Sequence, residues 1–111
     1  MKMKVTKLSI AVLLLFLGLS KVNAQNKYGS EPEKCKMNIS LFHESAKAKN
    51  YKDALEPWQW VYKNCPQASK HIYSDGLKIA KWQMKNGDAN AEAMINDIYT
   101  KRIEYFPSNL G

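Results

Sequence analysis

Residues 51–66 read YKDALEPWQWVYKNCP, and the spacing of their apolar side chains decides the fold. At about 100° per residue these side chains fall within an arc of about 120°, the width of a helical stripe that faces a core. They are Tyr51, Ala54, Leu55, Trp58, Val61, Tyr62 and Cys65. Pro57 is expected to kink this helix or to restart it, because proline lacks the N–H that a helix interior requires. The stretch therefore predicts an amphipathic helix, capped by Asn50, with Trp58 in the core.

The same helical period recurs on both sides of this stretch. A first helix is predicted over about residues 30–49, with Ser30 as its N-cap and Pro32 in its first turn. A third helix follows over about residues 70–86 and a fourth over about residues 90–105. The side chains predicted to face inward are Ile39, Leu41, Phe42 and Ala46; Ile72, Tyr73, Gly76, Leu77, Ile79, Ala80 and Met84; and Ala91, Met94, Ile95, Ile98, Tyr99 and Phe106. No alternation with a period of two residues interrupts this pattern, so the sequence predicts an all-α fold.

Two tryptophans fall outside the predicted core stripes. Trp60 is about 180° from Tyr51 on the helical wheel, and Trp82 lies at the edge of a lysine-rich face of the third helix. The residues of that face are Lys70, Ser74, Lys78, Lys81 and Lys85. Such a face is more often solvated than a site for a polyanion. Trp60 and Trp82 are therefore the candidates for contact with a partner.

The N-terminus predicts a cleavable signal peptide. Three lysines precede an apolar run at residues 8–19, and the small residues of VNA at 22–24 suit a signal peptidase. A membrane anchor is the alternative, but the run is shorter than the roughly 20 residues that a spanning helix needs. We therefore expect removal of residues 1–24 and a mature domain of residues 25–111, exported to the periplasm or cell envelope without a membrane span.

The net charge is smaller when the leader, residues 1–24, is left out of the count. Its four lysines account for four of the seven net positive charges, which leaves +3 for the mature chain. The remaining lysines are scattered, so a nucleic-acid partner is not predicted.

The two cysteines favour a disulfide. An exported chain meets an oxidising compartment, where Cys35 and Cys65 are expected to pair. A metal site is not predicted, because neither cysteine has a second ligand close to it and the histidines, His43 and His71, are isolated in the sequence. No cofactor is predicted either.

An enzyme is the least favoured class of function. His43 with Glu44 would be a poor acid and base pair, because adjacent helical residues point about 100° apart. His71 and Asp75 are four residues apart and could touch, but such a pair is more often an exposed helical pair than a catalytic one. The sequence therefore predicts no catalytic residues.

The second and fourth helices are related by an internal repeat. Trp58 and Tyr99 each stand eight residues before a proline that follows the helix, and the two prolines, Pro66 and Pro107, are 41 residues apart. Each unit is a helix, a turn and a second helix. Repetition of this kind is typical of stacked helical hairpins.

On these residues the chain resembles the tetratricopeptide repeat (TPR). The second helix of that family carries a large residue, an alanine, an aromatic, a small apolar residue and a proline at set spacings. The matching residues in this chain are Tyr51, Ala54, Trp58, Val61 and Pro66. The string as a whole, leader included, is similar to the N-terminal part of exported TPR proteins of the Bacteroidota.

The resemblance implies a TPR-like α-solenoid of two units, at about residues 30–66 and 67–107. It implies a scaffold that binds a protein or peptide in the cell envelope, with no catalytic residues. In an antiparallel hairpin the start of the first helix lies beside the end of the second, which would place Cys35 next to Cys65. About three repeats are usually needed for stability, so we expect either the N-terminal part of a longer array or a partner that covers the last helix. The residues expected to be covered in that way are Ile98, Ile103 and Phe106.

A small-ligand binder is the alternative function. Trp58, Trp60 and Trp82 could provide a stacking platform for flat ligands such as sugars. Only Trp60 and Trp82 have wheel positions that suggest exposure.

Overall fold

The computed structural model describes residues 26–109. The predicted leader and its cleavage site lie outside the described residues. Four α-helices make up most of the described chain, namely α1 (Pro32–Lys47), α2 (Tyr51–Asn64), α3 (His71–Lys85) and α4 (Ala91–Tyr105). Short 3₁₀ turns precede and follow them at Asn26–Tyr28 and Pro107–Asn109. No strand occurs within this range, and the predicted all-α class is confirmed.

The helix ends follow local chemistry, with one correction. Asn50 caps α2 as predicted, since its side-chain oxygen accepts a hydrogen bond from the backbone N–H of Asp53 at 3.4 Å. Ser30 is not the cap of α1, because that helix begins one residue later, after Glu31, without a side-chain capping bond. Lys49 adopts a positive φ of 61° and turns the chain from α1 into α2.

Pro57 lies inside α2 without dividing it. The helix runs unbroken over Tyr51–Asn64, so the predicted restart at Pro57 is wrong. Proline leaves the carbonyl of Asp53 without its helical N–H partner. Packing of the apolar face, with Ala54, Trp58 and Val61 buried, holds the helix together across this missing bond.

The helices form two antiparallel hairpins that pack on each other. α1 pairs with α2 and α3 pairs with α4, while α3 also contacts both α1 and α2. The ring of Tyr73, near the start of α3, is 5.9 Å from the ring of Phe106 at the end of α4. This contact places the start of α3 beside the end of α4, as in an antiparallel hairpin.

The predicted disulfide is confirmed and links the two ends of the first hairpin. The Sγ atoms of Cys35 and Cys65 are 2.07 Å apart, and their Cα atoms are 6.4 Å apart. Both cysteines are buried, so the bond is part of the core.

One continuous core joins the hairpins. Its buried members are Cys35, Phe42, Ala54, Trp58, Val61, Tyr62, Cys65, Ile72, Tyr73, Ile79, Ala80 and Ile98. Trp58 is at the centre, as predicted, with 1% of its surface exposed. Its indole Nε1–H donates to the carbonyl of Ile72 at 2.7 Å, and its ring stacks on Tyr62 with centroids 4.7 Å apart.

Three residues predicted to face inward are exposed instead. Leu41, Met84 and Tyr99 keep 51%, 49% and 44% of their surfaces accessible. A helical wheel identifies which residues share a side but not how wide an arc the neighbouring helices cover. Ile98, in contrast, is fully buried in the described structure and is not available to a partner, whereas Ile103 is 55% exposed.

Within residues 26–109 no helix combines the length and the apolar character that crossing a membrane requires.

Candidate functional site

Three side chains that are far apart in the sequence meet between α1 and α3. His43 of α1 places its Nδ1 2.7 Å from the Oδ2 of Asp75 in α3. The ring of His71, one turn before Asp75, lies 4.2 Å from the ring of His43, centroid to centroid. The two histidines, which are isolated in the sequence, are brought together by the packing of α1 on α3.

The members of this cluster differ in exposure. The side chain of Asp75 is only 7% exposed, whereas that of His43 is 31% exposed. His71 is partly buried. Burying a carboxylate costs free energy unless the carboxylate is paired. The imidazole of His43 is the partner of Asp75. Glu44 points to solvent and takes no part, so the pair to consider is His43 with Asp75 rather than His43 with Glu44.

A surface depression lies further along α3. It has a volume of about 270 Å³ and is lined by Tyr51, Lys78, Lys81, Trp82 and Lys85. Tyr51 comes from the start of α2, and the other four residues come from the second half of α3. The two rings are partly buried and the three lysines are exposed. We call this feature the Lys–Trp depression.

The cluster and the depression share one side of α3. His71, Asp75, Lys78 and Trp82 are separated by four, three and four residues, which keeps them within an arc of about 60°. This side of α3 and the adjoining His43 side of α1 form one surface, which we call the α1–α3 face. No acidic residue lines the depression, so this part of the face presents positive charge beside two aromatic rings.

Trp60, the other candidate for partner contact, lies elsewhere. It is partly buried and packs against the edge of the core. The ammonium of Lys34 is 4.9 Å from the centre of its ring, a cation–π distance. Trp60 does not line the Lys–Trp depression, so of the two predicted contact residues only Trp82 belongs to it.

Two buried tyrosines connect the hairpins through their hydroxyl groups. Tyr62 of α2 donates to the Asp97 carboxylate of α4, and Tyr73 donates to the carbonyl of Pro66 at 2.5 Å. Burial, reinforced by the hydrogen bond and charge of Asp97, raises the pKa of Tyr62 far above its ordinary value. The pKa of Tyr73 is raised as well, chiefly because the phenol is buried and secondarily because Tyr105 is nearby. Both phenols stay neutral in the folded protein and serve as structural donors.

The repeat residues divide by burial. Ala54, Trp58 and Val61 are buried, and Tyr51 is partly buried. Tyr99, which the repeat pairs with Trp58, is exposed because α4 buries only Ala91 and Ile98. The prolines that end the two units also differ, with Pro66 partly buried and Pro107 exposed.

No family model, no curated protein and no solved structure matches this chain.

Sequence reasoning singled out Trp82 but missed the cluster. The spacing of four residues predicts that His71 and Asp75 are helical neighbours, and His43 falls on the side of α1 next to its buried stripe. The sequence does not show how far α1 is shifted along α3, and this shift decides that His43 meets Asp75.

Proposed function

We propose that this protein is an exported helical scaffold, built as a TPR-like stack of hairpins, that binds an acidic segment of a protein partner in the cell envelope. The binding surface is the α1–α3 face. The observation that carries the proposal is the Lys–Trp depression, in which the ring of Tyr51 from α2 and the ring of Trp82 from α3 lie among three lysines of α3.

The packing of the hairpins supports a scaffold. α1 and α3 are the first helices of the two units, and they contact each other directly. Stacked hairpins of this kind present their first helices side by side as an extended surface. The continuous core and the Cys35–Cys65 bond hold that surface in place, which lowers the entropy lost when a partner binds.

The chemistry of the depression favours an acidic segment. The rings of Tyr51 and Trp82 offer apolar area at little entropic cost, and aromatic residues are enriched where proteins bind. Lys78, Lys81 and Lys85 would pair with carboxylates and speed the encounter at low salt. A long nucleic acid suits the site less well, because the mature chain carries a net charge of only +3.

The proposed location agrees with two features of the chain. Residues 1–24 carry the sequence pattern of a secretory signal peptide. A disulfide in the core persists in an oxidising compartment and is rare in the cytosol.

Affinity capture from envelope extract tests the proposal. The wild type is compared with a double charge reversal in the depression, Lys81→Glu with Lys85→Glu. The matched control reverses Lys47 and Lys63, which are also exposed helical lysines but lie outside the depression. We expect one reproducible partner that the wild type and the control retain and the depression variant loses, with retention that weakens as salt rises. The proposal fails if the depression variant retains the partner as well as the wild type does.

A small ligand is the second candidate, because the depression contains an accessible tryptophan. Its volume of about 270 Å³ is just below the range of roughly 300–1,000 Å³ that is typical of ligand sites. Trp58 cannot belong to the predicted stacking platform, because its side chain is buried. Acrylamide quenching of the wild type and of Trp82→Phe decides this point, because a surface platform is dismissed if removing Trp82 leaves the quenchable fraction of the fluorescence unchanged.

A further inference from the structure

We propose that His43, His71 and Asp75 form a binding site for a divalent transition-metal ion, with Zn²⁺ as the cation that best suits the donor set. The inference rests on the cluster and is independent of the partner proposed above.

The geometry brings three donors to one point. The ligand atoms of the three side chains all lie within 4.8 Å of one another. A tetrahedral zinc site places its donors about 3.3 Å apart, since zinc–nitrogen and zinc–oxygen bonds are about 2.0–2.2 Å long. The pair of His43 Nδ1 and Asp75 Oδ2, at 2.7 Å, must open slightly, and the widest pair must close. Both movements are rotations of imidazole rings that are partly exposed and therefore free to adjust.

The burial of Asp75 points to a cationic partner. Its side chain is only 7% exposed, yet a carboxylate seldom occupies such a place without a compensating charge or hydrogen bonds. His43 supplies one bond in the described structure. A metal ion bound to Nδ1 and Oδ2 would replace the hydrogen between them, which a neutral imidazole carries on Nε2 instead, and would place a positive charge beside the carboxylate.

The donor types select the metal. Imidazole nitrogens suit Zn²⁺, Cu²⁺ and Ni²⁺, whereas Ca²⁺ and Mg²⁺ prefer oxygen donors throughout. The cysteines cannot contribute, because both sulfurs are in the disulfide. Three protein ligands leave the fourth position of a tetrahedral ion to water or to a partner's side chain.

The position of the site gives metal binding a structural consequence. His43 belongs to the first hairpin, and His71 and Asp75 belong to the second. A bound ion would therefore cross-link the hairpins on the α1–α3 face, one turn from Lys78 of the Lys–Trp depression. It would stabilise the folded state over the unfolded chain, in which the three donors are apart.

Calorimetric titration of the untagged, disulfide-bonded protein with Zn²⁺ tests the site. We expect one ion bound per chain and a rise of several degrees in Tm with added Zn²⁺. In NMR spectra the ring resonances of His43 and His71 should shift together. His71→Gln and His43→Gln should each weaken binding by roughly tenfold or more.

Two controls keep the test decisive. Glu44→Gln removes an exposed carboxylate next to His43 and should leave zinc affinity unchanged. Melting of each variant without zinc shows whether it is folded, and His71→Gln is the primary variant because Asp75→Asn removes a buried charge and can lower stability by itself. The proposal is overturned if the wild type binds Zn²⁺ more weakly than about 1 mM, or if the doubly substituted protein lacking both imidazoles binds as tightly as the wild type.

Discussion

The indole of Trp58 lies against the backbone of Gly76. A Cβ atom at position 76 would be 2.8 Å from both Nε1 and Cζ2 of that ring. The ring has little freedom to retreat, because its Nε1–H is bonded to the carbonyl of Ile72 at 2.7 Å and its face stacks on Tyr62. Glycine at position 76 therefore sets how closely α2 and α3 approach.

Gly76→Ala is expected to destabilise the protein by about 1–3 kcal/mol through overpacking against Trp58. This is the reverse of the gain of about 1 kcal/mol that alanine brings to an ordinary helix interior. Urea denaturation followed by tryptophan fluorescence measures the change. Ser74→Ala, at an exposed position of the same helix, should be neutral or slightly stabilising. A Gly76→Ala variant as stable as the wild type would contradict the close contact.

Removing the disulfide by the double substitution Cys35→Ala and Cys65→Ala is expected to lower the free energy of unfolding by roughly 3.5 kcal/mol. The bond closes a loop with a sequence separation of 30, and the loop-entropy model gives this magnitude for a loop of that length. Urea denaturation of the oxidised wild type and of the double variant gives the difference. Mass spectrometry of exported protein without reductant provides the direct check, and two free thiols would contradict the bond.

Stability should fall as the pH rises above about 10, because Tyr62 and Tyr73 ionise in the unfolded chain near their ordinary pKa but not in the folded protein. The raised folded-state pKa means that the unfolded chain releases these protons first, so the stabilisation is complete below pH of about 10 and is lost above it. Urea denaturation at a series of pH values measures the slope. Tyr62→Phe should make the slope shallower, whereas Tyr99→Phe, at an exposed position, should not.

Trp60→Ala is expected to cost about 1–2 kcal/mol of stability, less than the roughly 3–5 kcal/mol of a fully buried tryptophan. The ring is partly buried against the core and also lies under the ammonium of Lys34. Lys34→Gln separates the two contributions, since the cation–π contact alone is worth about 0.5–1 kcal/mol at an exposed site. Thermal or urea unfolding of both variants measures them. A Trp60→Ala variant with unchanged stability would instead favour a contact with a partner.

The burial of two aromatic residues shows what a sequence pattern can predict and what it cannot. Trp58 and Tyr99 occupy equivalent positions in the predicted repeat, yet the first is 1% exposed and the second is 44% exposed. Trp58 contacts Ile72 and Gly76 of α3 and Tyr62 of its own helix, whereas α4 packs mainly on α3. The helical period predicts the direction in which a side chain points, but the burial of that side chain depends on which other helices lie beside it.

The sequence by itself determined the four helices, the buried stripe of α2 and the pairing of Cys35 with Cys65. These follow from forces that act over one or two turns and from the short turn that makes consecutive helices antiparallel. Only the tertiary structure decided that His43 meets His71 and Asp75, and that Gly76 admits the ring of Trp58. Both depend on the offset and the distance between helices, which many side chains set together through close packing and which no single spacing in the sequence encodes.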